Sequence, residues 1–226
     1  MKETVFILVY LALLYAGLII FGGIMKTKIF SVRKICIMAI LSALSALVML
    51  VEFPLWFAPP FYKFDFSEFF VLIGGFALGP VEAVIIEFLK VLINTLFNGT
   101  DTAFVGEIAN FIVGCFFVLP SSIIYKYKKT KQGAVIGLFV GILSFTIIGA
   151  IINYFVLLPL YSNLYQLPLE ALIGMGTEKN GRINSLFTFV IFATVPFNVF
   201  KGVVDSALTL LIYKKVSPIL HKNLDS

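Results

Sequence analysis

Charge is scarce in this chain. Only 13% of its 226 residues are Asp, Glu, Lys or Arg, about half the share of an average soluble domain. That scarcity excludes an ordinary water-soluble globule. With 60% hydrophobic residues and a mean hydropathy of +1.05, it points to an integral membrane protein. The one histidine, His221, lies in a polar tail, which excludes histidine-ligated metal centres and histidine-dependent triads. The two cysteines, Cys36 and Cys115, fall in apolar runs without CxxC spacing and read as small packing residues. There is no GxxxxGK[ST] loop and no polar stretch long enough for a nucleotide-binding domain, so any ATP hydrolysis belongs to another chain. The net charge of +5 would suggest nucleic acid in a soluble protein. Here the cations cluster between apolar runs, where they set topology, and nucleic acid is excluded as a partner.

Apolar runs of about 18 or more residues recur, the signature of spanning helices and not of the alternating strands of a membrane barrel. The first, residues 5–25, is followed by Lys26, Lys28, Arg33 and Lys34 and by no small-residue cleavage site. It reads as a retained anchor with its N-terminus outside. The second, residues 35–53, leads into Pro54 and an aromatic, proline-rich stretch through Phe66, expected at the outer interface. Residues 67–78 form a helix of about 18 Å, short for a crossing unless sheltered, and end at Gly79-Pro80. Spans over 81–97, 103–125 and 133–160 follow in alternating directions. Residues 161–184 make a long outer loop, and a span over 187–215, interrupted near Pro196, comes back in. The first cytoplasmic loop, the loop at 126–131 and the tail hold eleven of the seventeen Lys and Arg residues, as the positive-inside rule requires.

The expected fold is therefore an all-α integral membrane protein, a six-transmembrane-helix bundle preceded by one extra N-terminal transmembrane helix. Residues 1–32 comprise the extra helix and a cytoplasmic loop, 33–216 the six-helix domain, and 217–226 a cytoplasmic tail. No internal repeat is visible, and the unequal helix lengths argue against two inverted halves.

The last span carries the costliest residues. A lysine or aspartate near the middle of a spanning helix costs roughly 2.5–3.5 kcal/mol on insertion scales, and this one holds Asn198, Lys201 and Asp205. Spacings of three and four put all three on one face, which must look into a bundle or a cavity. Lys201 is either neutralised by Asp205 or held by Asp205 or Glu87 while its ammonium donates to a solute carbonyl. Glu87 and Lys90 read as a structural pair. Asn153, near the outer end of its span among aromatic residues, is either interhelical glue or an amide reading the edge of a planar heteroaromatic solute. In FYKFDFSE, residues 61–68, Asp65 or Ser67 is placed to cap the next helix, and Trp56, Phe57, Phe61 and Tyr62 can form a lid. Ala39 with Ala43 and Gly137 with Gly141 are small-xxx-small pairs that let helices approach closely; the first pair faces either its own bundle or another chain.

Several of these segments together resemble a known family. AILSA at 39–43, FYKFDFSEF followed by FALGP, EIANFIVG at 107–114, NYFVLLPLY and PFNVFKG are similar to the substrate-binding S components of energy-coupling factor (ECF) vitamin transporters, most nearly the riboflavin-specific ones, over residues 33–215. The resemblance implies a six-helix bundle in the bacterial cytoplasmic membrane that captures riboflavin, as transported ligand and not as cofactor, on the outer side. It implies partnership with a transmembrane coupling subunit and two ABC-type ATPases, and toppling in the bilayer to release the vitamin. It maps riboflavin binding to Asn153, Asn198 and Lys201, with Tyr62, Asp65 and Tyr154 around them, and subunit docking to Ala39 and Ala43. Two departures stand out: the 5–25 helix lies outside the six-helix pattern, and Lys63 occupies a place near the ribityl chain where a small or hydroxylated residue is expected.

Rival readings are an S component for another vitamin or a flavin analogue, an intramembrane enzyme, and a scaffold or channel. Thiamin, a cation, is disfavoured by Lys201. An enzyme using Glu87, Asp205 or Glu107 as acid or base would lack a histidine, a nucleophile motif and a carboxylate cluster.

Overall fold

A computed structural model describes residues 31–100, 102–164 and 166–221. The span expected at 5–25 and the tail beyond His221 lie outside these residues. Helix α1 (Val32–Met49) starts at Ser31, whose hydroxyl accepts from the Lys34 amide. It ends four residues earlier than the hydropathy predicts, because Phe53–Pro54 leaves the helix to form strand β1. β1 pairs antiparallel with β2 (Lys63–Phe64), Phe53 opposite Phe64 and Pro54 opposite Lys63. This small ribbon was expected as a loop.

Helix α2 (Ser67–Ala77) is the short span, about 16 Å long. Ten of its eleven residues are buried, against α1, α3 (Pro80–Asn98), α4 (Val105–Tyr127) and the last helix. Its neighbours shelter it, which is why a run too short to cross alone sits at the centre of the bundle. Gly79, at φ 128°, makes the break into α3, where Pro80 occupies the first turn. Gly99, at φ 73°, ends α3.

Helix α5 (Lys131–Ile152) packs along α4. Gly137 and Gly141 are both buried, and a methyl on either would meet a backbone carbonyl of α4, Ser121 O or Phe117 O, at 2.7 Å. That small-residue pair serves packing within the bundle. Beyond α5 the chain continues through a π-helical turn (Asn153–Leu157) into α6 (Leu158–Leu164), and a further helix α7 (Leu169–Thr177) forms. The expected outer loop over 161–184 is thus partly helical. After α8 (Leu186–Phe189) and a second π turn (Val190–Thr194), α9 runs over Val195–His221 without the expected interruption at Pro196.

Both π turns end two residues before a proline, Pro159 and Pro196. Proline has no N–H to give and its ring crowds the carbonyl four residues back; widening the preceding turn relieves that clash without breaking the helix. Among the described residues four helical stretches are long and apolar enough to cross a membrane: Val32–Met49, Val105–Tyr127, Lys131–Leu164 and Leu186–Tyr213. α3 has the length but carries Glu82, Glu87 and Lys90, all buried.

Candidate functional site

Among the described residues two ionic clusters lie inside the bundle. Lys90 Nζ is 2.7 Å from Glu68 Oε1 on α2 and 2.8 Å from Glu87 Oε1 one turn back on α3, and all three side chains are sealed from solvent. The expected Glu87–Lys90 pair is present, enlarged by Glu68. Gly114 on α4 leaves room for it, since a methyl there would collide with the Glu87 carboxylate.

The second cluster corrects an expectation. Lys201 is paired with neither Asp205 nor Glu87; its Nζ donates to Asp65 Oδ2 at 2.6 Å, a partner 136 residues away. Asp65 divides its carboxylate: Oδ1 accepts from the Ser67 amide at 2.8 Å at the start of α2, while Oδ2 holds Lys201. The capping expectation holds for Asp65, which takes up the first amide of α2. Burial pushes the Asp65 carboxyl up, but the Lys201 ammonium, reinforced by Lys90, outweighs that and holds it below the ordinary carboxylate range. The carboxylate of Asp205, fully buried one turn further along α9, has no hydrogen-bond partner among the described residues.

Above this pair the two π turns face one another across a hydrogen-bonded set. Tyr62, on the ribbon's return limb, donates its O–H to Asn153 Oδ1 at 2.7 Å, and its oxygen is also 2.7 Å from Thr194 Oγ1. Asn153 Nδ2 donates to the Gly149 carbonyl one turn back, at 2.8 Å. Asn198 Nδ2 lies against the same glycine from α9, close enough that a methyl at Gly149 would collide with it, and has no partner among the described residues. Asn153, Asn198, Lys201 and Asp65 are all buried.

The aromatic surround comes from the ribbon segment, the first π turn, α8 and α9. The Tyr62 ring lies 5.2 Å from Phe197 at 31°, and Phe61 is parallel to Phe189 at 6.1 Å. Trp56 and Phe57 meet Phe200 edge-on. Tyr154 is half-buried against the apolar cluster of Phe189 and Leu158, to which Phe61 and Tyr62 also belong. Lys63 is half-exposed and paired with Glu52 at 2.5 Å. Ala39 and Ala43 lie exposed on one face of α1 with Ile40, Leu44 and Leu47. Among the described residues nothing covers that face, in contrast to the glycine pair of α5.

Sequence reasoning missed Thr194 and Gly149. The available signals were the prolines at 159 and 196, which mark the turns that carry Asn153 and Thr194.

The set of free polar groups defines what the site can bind. Asn198 offers its amide N–H groups, Asn153 keeps one N–H, and the Lys201 ammonium has donors beyond the one given to Asp65. Against these stand the spare lone pair of Asn153 Oδ1 and the carbonyl oxygen of the Asn198 amide. The ledge is rich in donors and flanked by aromatic faces, which suits a planar ring with carbonyl acceptors along one edge.

The profile of the family described as "ECF transporter, substrate-specific component" matches residues 33–213. The riboflavin transporter RibU of Staphylococcus aureus (strain TCH60) is 32% identical over 190 residues, covering 84% of this chain and 93% of that protein. The riboflavin transporter FmnP of Bacillus subtilis (strain 168) is 30% identical over 192 residues, with coverage of 84% and 95%. A solved S component of a bacterial ECF transporter superposes with a TM-score of 0.65 at 33% identity, covering 84% of this chain and 98% of that one. With a buried donor ledge, membrane-length helices and these relatives, the chain belongs to the substrate-specific components of ECF transporters, a family of transport subunits and not of enzymes.

Proposed function

We propose that this protein captures riboflavin at the donor ledge, on the outer side of the bacterial cytoplasmic membrane, and releases it to the cytoplasm in company with a transmembrane coupling subunit and two ABC-type ATPases. The observation that carries the reading is the unpartnered, buried Nδ2 of Asn198 beside Asn153 and Lys201. Buried donors left without acceptors are costly, about 1–3 kcal/mol each, and the pyrimidinedione edge of a flavin offers two carbonyls flanking one N–H. In this reading Asn153, Asn198 and Lys201 hold the ring edge. Tyr62 and Tyr154 supply aromatic surface, and Asp65 holds Lys201 in place. The relatives of S. aureus and B. subtilis are named as riboflavin transporters, which supports the same substrate.

Residues 33–216 make up the six-helix binding unit. Ala39 and Ala43 form the docking face for the coupling subunit; their exposure on α1 supports it. The test is a titration of the purified protein with riboflavin, followed by quenching of flavin fluorescence, after an absorption spectrum taken without added ligand. Saturable quenching at submicromolar riboflavin, weakened in Asn198→Ala, is the expected result. A protein that ignores riboflavin but binds another vitamin would keep the family and remove this substrate.

A further inference from the structure

The contacts of Tyr62 have only one consistent direction. The Asn153 Oδ1 oxygen cannot donate, so the single phenolic proton of Tyr62 goes to Asn153, and the 2.7 Å contact with Thr194 is made by the threonine's proton. Burial raises the Tyr62 phenol above its ordinary range, which keeps that proton in place. Turning the Asn153 amide over would set its oxygen against the Gly149 carbonyl, two acceptors face to face, so the Nδ2 donation to Gly149 fixes the other end. Protons thus run one way, from Thr194 to Tyr62 to Asn153 to Gly149.

The π turns make this chain available. In an α-helix a threonine hydroxyl tends to bond the carbonyl four residues back. Here the Val190 carbonyl is taken by the Val195 amide, five residues on, and Thr194, 1% exposed, gives its proton to Tyr62 instead. On the facing strand of backbone, Asn153 opens its own π turn, and the Leu158 amide bonds its carbonyl in the same way.

Resting on the riboflavin reading above, we propose that Thr194 and Gly149 are positioning residues for recognition. Acting at the two ends of this chain, they lock the Asn153 amide with its free N–H turned toward the ligand, so that the site selects a ring edge presenting a carbonyl there. Neither residue need touch the vitamin.

The test uses the full chain in detergent, titrated with riboflavin and with 2-thioriboflavin and 4-thioriboflavin, in each of which one ring carbonyl becomes a weaker acceptor. Thr194→Val keeps the shape and removes the donor; Thr194→Ser keeps the donor and removes a methyl. The expected result is that Thr194→Val weakens riboflavin about five- to tenfold while Thr194→Ser stays within about twofold. The Thr194→Val penalty should shrink for one thio analogue, the one altered at the carbonyl that Asn153 reads. Tyr62→Phe, which removes the middle link, should weaken riboflavin to a similar degree and serves should Thr194→Val not fold. A Thr194→Ser loss larger than that of Thr194→Val would make the role one of packing and overturn the proposal. So would tighter binding by Tyr62→Phe, or a Thr194→Val penalty equal for all three ligands. Wild-type protein that binds no riboflavin would remove the substrate reading and this inference with it; wild-type binding with an indifferent Thr194→Val removes the inference alone.

Discussion

The Lys201–Asp65 pair ties the outer ribbon to α9, and its removal should cost unequal amounts from its two ends. At 2.6 Å two unit charges attract by about 6 kcal/mol at an effective dielectric of about 20. Most of that is offset by desolvation, since the side chains are only 9% and 6% exposed. Deleting one partner strands the other, which typically costs about 3–5 kcal/mol. Asp65→Asn retains an oxygen for the Ser67 amide, and Lys201 retains Asp205 one turn away on its own helix, so this variant should lie at the low end. Lys201→Met strips Asp65 and Asp205 of their nearest cation, leaving only the field of Lys90, and should lie at the high end. At about 2–4 °C per kcal/mol for a chain of this size, ligand-free melting temperatures should fall by roughly 6–20 °C across the two variants. The double variant should melt above Lys201→Met alone, because one stranded charge has been removed. Thermal melting in detergent without riboflavin reads all three. Single variants within a degree or two of wild type, or a double variant whose loss is the sum of the singles, would refute the reasoning.

Three further outcomes are expected. Ala39→Leu or Ala43→Leu, on the exposed face of α1, should leave riboflavin titration of the isolated protein unchanged and abolish uptake by cells; normal uptake would mean the face docks no partner. Gly149→Ala, which drives a methyl into the Asn198 amide, should lower riboflavin affinity by about tenfold or more, measured by fluorescence quenching; wild-type affinity would show that Asn198 does not contribute. Because the Asp65 carboxyl is held below its ordinary range, the pair's stabilisation is complete above the ordinary carboxylate pKa of about 4 and is lost as pH falls through the lowered value. The melting difference between wild type and Asp65→Asn should then be flat from pH 5 to 8 and narrow only in stronger acid. Narrowing already near pH 6 would place Asp65 outside the pair.

The sequence conveyed the helices through hydropathy and the inward face of α9 through spacing, because both are local properties of one element. The partner of Lys201 was not local. Asp205 stood four residues away and Asp65 lay across 136 residues, so only the packed fold could decide between them, and it chose the residue on the ribbon. The ribbon itself left a trace: Tyr62, Phe64 and Phe66 alternate with Lys63 and Asp65, a period of two that signals a strand. Proline and aromatic content in the same stretch pointed to an irregular loop and hid it. The π turns were invisible to periodicity analysis, since five residues in a slightly wider turn barely disturb an apolar run. Glu68 joined Lys90 for a similar reason: it entered through α2, whose central place depends on neighbours contributed by four other helices.

Each π turn inserts what amounts to one surplus residue into a continuous helix, rotating everything beyond it by about 100° relative to the segment before. The continuous helices formed by α5 with α6 and by α8 with α9 therefore each carry two segments set in separate registers, one on either side of the turn. Substitutions that reshape the mouth of the site can accumulate beyond the turns without forcing the inner segments to repack. A single-residue deletion inside either turn would merge the two registers and swing the whole outer segment onto a face for which it has no partners.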